Sequence, residues 1–66
     1  MEVTINGEPK SVPDSVRIAE LIDFLELKKE RVAVELNCFI VARKTWEDIS
    51  LKPGDKLEII HFVGGG

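Results

Sequence analysis

Three consecutive glycines, Gly64, Gly65 and Gly66, follow directly on the apolar stretch Leu57, Ile59, Ile60, Phe62 and Val63 and carry the sequence to its last residue. The chemistry open to such a segment resides in its backbone. An α-carboxylate is ionised at neutral pH and can attack an activated phosphate. With no Cβ on the residues leading to it, the chain can lie extended in a narrow channel and leave the terminal carbonyl open to a nucleophile. The residues alone also admit a plainer reading, because chain ends are where disorder and tolerance to change concentrate. Side chains offer less. Cys38 is the only cysteine and His61 the only histidine, so neither an intrachain disulfide nor a zinc site of ordinary type can be assembled. The reading therefore includes no catalytic side chain, no metal and no cofactor.

The glycines need a body to hold them. Met1, Val3 and Ile5 alternate with Glu2 and Thr4 as in a half-buried strand, and Asn6-Gly7 is a strong two-residue hairpin signal. A second strand through Val12 follows, and Pro9 within it assigns it to a sheet edge, since proline cannot donate a ladder hydrogen bond. Pro13-Asp14-Ser15 breaks that strand. Ile18, Leu21, Ile22 and Leu25 then recur at helical spacing, which predicts one amphipathic helix from Val16 to Leu27. Its start lacks a capping box, because the residues three beyond Asp14 and Ser15 are Arg17 and Ile18. Val32, Val34 and Leu36 give a third strand, Asn37-Cys38 a turn, and Phe39-Ile40-Val41 a short fourth strand. Arg43 to Asp48 is read as a brief helical turn that lays Trp46 over the core edge. Lys52-Pro53-Gly54-Asp55 is a β-turn, after which the last strand begins at Lys56.

This order gives a single α+β domain over residues 1–66, with 63–66 as a flexible tail. One helix covers only one face of the sheet, with Leu57 and Ile59 turned toward it and Glu58, Ile60 and Phe62 turned away. Ile60 and Phe62, joined by Ala33 from the neighbouring strand, then form an apolar patch beside the tail, of the kind that marks a docking surface. Glu58 lies on the same face. A partner could grip the body there while the glycines reach into its active site.

Composition narrows the partners. A chain 44% hydrophobic and 32% charged has the profile of a folded globular domain. A net charge of −3 argues against nucleic acid, which calls for a basic face, and favours a basic partner surface. The N-terminus has no signal-peptide pattern and no apolar run approaches membrane-spanning length, so the reading is a cytoplasmic protein without membrane contact.

The order of elements, together with Lys52-Pro53-Gly54-Asp55-Lys56-Leu57-Glu58-Ile59-Ile60 and the closing His61-Phe62-Val63-Gly64-Gly65-Gly66, resembles the ubiquitin-like β-grasp sulfur carriers, and among them the ThiS-type carriers of thiamine biosynthesis. The resemblance runs the length of the chain. It implies a mixed sheet of four to five strands packed on one helix. It also implies a carrier that catalyses nothing itself: an E1-like adenylyltransferase of the ThiF type converts the Gly66 carboxylate to an acyl-adenylate. A sulfur donor such as a cysteine desulfurase leads to the thiocarboxylate, and a ThiG-type thiazole synthase takes the sulfur. That family needs only a terminal Gly-Gly, so Gly64 is an additional glycine. Three other readings share these residues: the small subunit of molybdopterin synthase, a ubiquitin-like modifier joined through Gly66 to a lysine, and an interaction module whose tail has no role.

Overall fold

The structure is a computed structural model that describes residues 1–62. Five strands form one sheet: β1 (Glu2–Ile5), β2 (Glu8–Ser11), β3 (Val32–Leu36), β4 (Phe39–Ile40) and β5 (Lys56–His61), in the spatial order β2-β1-β5-β3-β4. Among the described residues a single α-helix, α1 (Ile18–Phe24), lies between β2 and β3 in sequence. β1 and β5 are parallel neighbours at the centre of the sheet and every other pairing is antiparallel. The mixed sheet on one helix is the β-grasp arrangement expected from the sequence, with Pro9 on the edge strand β2.

The Asn6-Gly7 turn has positive φ at both positions, +50° and +82°. That is the twist a two-residue hairpin needs, and glycine supplies it without steric cost. Asn37-Cys38 closes the β3–β4 hairpin with the same handedness, φ +50° and +76°. Cysteine there is a strained choice, since a Cβ in the left-handed region crowds the following carbonyl. Cys38→Gly should raise stability by about 1 kcal/mol, the relieved strain being partly offset by the freer unfolded chain. A urea titration showing no gain would place the strain elsewhere.

The helix is shorter than its apolar periodicity predicts. It runs from Ile18 to Phe24 rather than from Val16 to Leu27. At its start Arg17 is extended, and the Glu20 carboxylate accepts a hydrogen bond from the Arg17 N–H at 2.9 Å. Arginine has no acceptor with which to complete the reciprocal half of a capping box. The free N–H groups of Ile18 and Ala19 instead donate to the carbonyls of Ile49 and Trp46, so a remote loop satisfies the donors that the first turn leaves open. At the other end Glu26 takes φ +59°, its N–H donates to Asp23 and that of Leu27 to Ile22. This is a Schellman closure with glutamate where glycine is the usual residue.

Ile18, Leu21 and Ile22 on the helix face the buried side of the sheet, Val3, Val32, Val34, Leu57 and Ile59, with Val12, Val16, Trp46 and Leu51 completing the core. Trp46 lies deeper than its expected place at the core edge: it is 2% exposed, and its indole N–H donates to the Val41 carbonyl at 3.1 Å. The 3-10 turn that delivers it covers Arg43–Thr45.

Candidate functional site

The open face of the sheet follows from strand register. Ala33 stands directly opposite Ile60, and Glu35 opposite Glu58, across the antiparallel β3–β5 pair. Their neighbours along β5, Leu57 and Ile59, point the other way into the core at 1% and 6% exposure. Ile60 is 48% and Phe62 56% exposed, Ala33 is half-buried and Glu58 is exposed. The structure therefore brings Ala33, Glu58 and Ile60 onto one face at the end of β5, with Phe62 one residue beyond that strand. Gly64, Gly65 and Gly66 lie outside the described residues.

One more residue belongs to this face. The two-residue Asn37-Cys38 turn sets the register of β4 so that Ile40 pairs with Glu35; it is 78% exposed, the highest value among the large apolar side chains of the described residues. The sequence carried the signal, because a two-residue turn fixes the register of its hairpin. Counting outward from that turn puts Ile40 beside Glu35 on the uncovered side.

Glu35 and Glu58 form a directly opposed pair of like charges, an arrangement that costs a sheet up to about 1 kcal/mol. Among the described residues the only ion pair is that of the Met1 ammonium with Asp14, so neither glutamate is neutralised within this set. Glu58→Lys should therefore raise stability by about 0.5 kcal/mol, with the midpoint of urea unfolding as the measure. A lower midpoint would show that the pair is not repulsive.

The base of the C-terminal segment is held from both sides. β3 pairs with β5 as far as Val32 opposite His61, and the Phe62 N–H donates to the Arg31 carbonyl at 2.9 Å. On the other side β1 has already turned away, its ladder to β5 ending at Ile5 and Leu57. The Asn6 side chain takes over there. Its Oδ1 accepts from the Ile59 N–H at 2.7 Å and its Nδ2 donates to the Ile59 carbonyl at 3.2 Å, so an amide side chain extends the ladder by one rung. In the sequence Asn6 reads only as a turn residue, and nothing in its local pattern announces a partner 53 positions away.

Among the described residues no group of three or more His, Cys, Asp or Glu is placed to hold a metal ion. Cys38 is exposed at its turn. Among the described residues no helix is long and apolar enough to cross a membrane.

Comparison with known proteins places this geometry in context. The profile of the ThiS family matches residues 3–66. The crystal structure of a thiamine biosynthesis protein (ThiS) from Geobacter metallireducens superposes with a TM-score of 0.87 at 36% sequence identity, covering 100% of both chains. A sulfur carrier protein ThiS from Bacillus subtilis is 35% identical over 63 residues, covering 94% of this chain and 96% of that one. A thiazole synthase from Paramagnetospirillum magneticum is 38% identical over all 66 residues, which make up 20% of its length. The chain thus spans about a fifth of such thiazole synthases.

Proposed function

Since the chain belongs to the ThiS family, we propose that it is a sulfur carrier of thiamine biosynthesis, loaded at the carboxylate of Gly66 and unloaded by a thiazole synthase. The observation that carries this reading is the match over residues 3–66, which takes in both the sheet that grips β5 and the three glycines after it. The name of the Bacillus subtilis relative supports the carrier role. The thiazole synthases that contain a matching segment support the acceptor.

In this scheme the Gly66 carboxylate oxygen attacks the α-phosphorus of ATP on an E1-like adenylyltransferase. A C–O–P linkage forms and pyrophosphate leaves. The acyl-adenylate is a mixed anhydride, and a persulfide supplied through a cysteine desulfurase route adds to its carbonyl and expels AMP, leaving an acyl disulfide. A second thiol attacks the outer sulfur of that disulfide, forming a new disulfide and releasing the thiocarboxylate, whose sulfur passes to the thiazole under construction. The carrier supplies no acid, base or nucleophile beyond its own terminus. Its work is to present a side-chain-free acyl group on a rigid handle, which lowers the entropic cost of bringing that group into a partner's site.

The handle is the face bearing Ile60, Phe62, Ala33 and Glu58. A partner with an apolar surface and a basic group would bury the aromatic and aliphatic side chains and neutralise the opposed glutamates, matching charge as well as shape. Glu58→Lys, the substitution expected to stabilise the free chain, should then weaken partner binding about tenfold in titration calorimetry with the adenylyltransferase.

The test of the whole reading is intact mass. After incubation with ATP, the adenylyltransferase and the sulfur source, the chain should gain the mass of one oxygen-to-sulfur exchange, mapped by fragmentation to Gly66. A terminus that stays a carboxylate with every component present defeats the proposal.

A further inference from the structure

The net charge of −3 conceals a local excess of the opposite sign where the chain leaves the sheet. β3 begins and β5 ends at the same end of the sheet, where Val32 pairs with His61, and the chain leaving β4 runs toward that end, the Val41 N–H donating to the Val34 carbonyl. The segment leading into β3 is Lys28-Lys29-Glu30-Arg31, and Arg43-Lys44 follow closely after β4. Five of the nine lysines and arginines thus gather at the end of the sheet from which residues 63–66 depart, with Glu30 the one acid in those two segments. Asp23 and Glu47 are further acids nearby, both lining a hollow with Lys28 and Lys29.

The placement is anchored by backbone. The Arg31 carbonyl accepts the Phe62 N–H, and the Arg43 guanidinium donates to the carbonyl of Val32, the residue paired with His61. Lys29, Arg43 and Lys44 line one hollow beside Trp46, with Arg43 lying 5.6 Å from the centre of the indole ring. Lys28, Lys29, Arg31, Arg43 and Lys44 are all exposed. Among the described residues no carboxylate forms an ion pair with any of them.

We propose that these cations form a basic collar that recognises an acidic rim around the mouth of the adenylyltransferase channel. The inference rests on the carrier reading above and adds the sign and position of the surface that receives the tail. Reach supplies the argument. Four residues span at most about 14 Å when fully extended, so a partner that takes Gly66 into a channel must bring the channel mouth close to the end of the sheet. At that distance, comparable with the Debye length of about 10 Å at 0.1 M salt, the excess of these five cations over Asp23, Glu30 and Glu47 sets the sign of the field that a docking surface meets. The uncovered sheet face with Glu35 and Glu58 calls for the opposite sign. The carrier thus presents a two-signed footprint, and the order of charges across it fixes how the partner must be turned.

The test uses the triple variant Lys29→Glu/Arg31→Glu/Lys44→Glu, which spares Arg43 because that residue also braces Trp46, with Lys52→Glu/Lys56→Glu at the far end of the sheet as control. Both variants are first matched to wild type by circular dichroism and thermal unfolding, with the charge-neutral Gln triple replacing any variant that fails to fold. KM and kcat for adenylation of the carrier are then read at low and high salt, and affinity for the adenylyltransferase without ATP by surface plasmon resonance. The collar requires a KM raised about tenfold in the triple variant at low salt, unchanged kcat, a gap that closes at high salt, and a control within twofold of wild type. A triple variant that keeps wild-type KM and salt dependence overturns the collar alone. Salt-dependent binding with no adenylation of the wild-type chain sinks the carrier reading and leaves the collar standing. Binding of the wild-type chain to duplex DNA with comparable affinity, lost in the triple variant, overturns the assignment of the collar to a protein rim.

Discussion

On the proposed carrier reading, removing Gly66 or capping its carboxylate as an amide should abolish adenylate and thiocarboxylate formation while leaving the folded domain unchanged. The expectation has two independent parts. The chemical part is that the attacking oxygen belongs to the terminal carboxylate, and neither an amide nor a terminus one residue shorter presents it at the same depth in the partner. A misplacement of about 1 Å is enough to cost on the order of 100-fold in rate, and a missing residue displaces the group by roughly 3.5 Å. Gly66→Ala is the graded version: it keeps the carboxylate but adds a methyl group against the channel wall, for an expected loss of about 100-fold in the adenylation rate. The structural part is that, among the described residues, every buried side chain of the core lies between Val3 and Ile59, and residue 66 is a glycine with no side chain to lose. The thermal midpoint of the trimmed chain should move by less than about 3 °C, which for a domain of this size is below 1 kcal/mol. Mass spectrometry reads the chemistry and calorimetry the fold. Thiocarboxylate on the amidated chain would refute the assignment of the reactive group.

Replacing Trp46 with alanine should have the largest effect on stability of any single change. The ring is 2% exposed, its N–H is bonded to the Val41 carbonyl, and Arg43 stacks at its face. Truncating a buried tryptophan costs about 3–5 kcal/mol. A 66-residue domain has a total stability of about 3–10 kcal/mol on the usual per-residue scale, so Trp46→Ala consumes a large share of it and should lower the thermal midpoint by roughly 15–30 °C. Trp46→Phe keeps most of the apolar volume but loses the donor to Val41, and a cost of about 1–2 kcal/mol is expected. Circular dichroism follows both unfolding transitions, because the substitution removes the sole tryptophan reporter. A loss below 1 kcal/mol in the alanine variant would return the ring to the core edge.

Much of the architecture was legible before the structure because its signals are local. Asn6-Gly7, Pro53-Gly54 and the period-two runs at Val3 to Ile5 and Val32 to Leu36 each specify their conformation from within a few residues. The helix ends are not legible in the sequence, for a matching reason. Apolar spacing continues through Leu25 and Leu27, yet Glu26 turns left-handed and closes the helix without a glycine to announce it. At the start, the donors are satisfied by carbonyls at Trp46 and Ile49, which no local pattern encodes. The open face was readable in part: Ile60 and Ala33 follow from alternation, whereas Ile40 required the register that the Asn37-Cys38 turn imposes. The basic collar was not readable at all, since Lys28 to Arg31 and Arg43-Lys44 look like separate charged loops until the sheet order brings their ends to one side.

The position of β5 also decides how the fold answers a mechanical load. A strand at the margin of a sheet peels away one hydrogen bond at a time, but β5 is flanked by β1 and β3, and Asn6 ties Ile59 laterally beyond the end of β1. Traction applied along the C-terminal side therefore loads both flanking ladders in shear, and many bonds must fail together before the strand slides. If the chain is withdrawn from an enzyme interior in each cycle, as the proposed carrier reading requires, that geometry favours release of the grip on the partner before rupture of the framework.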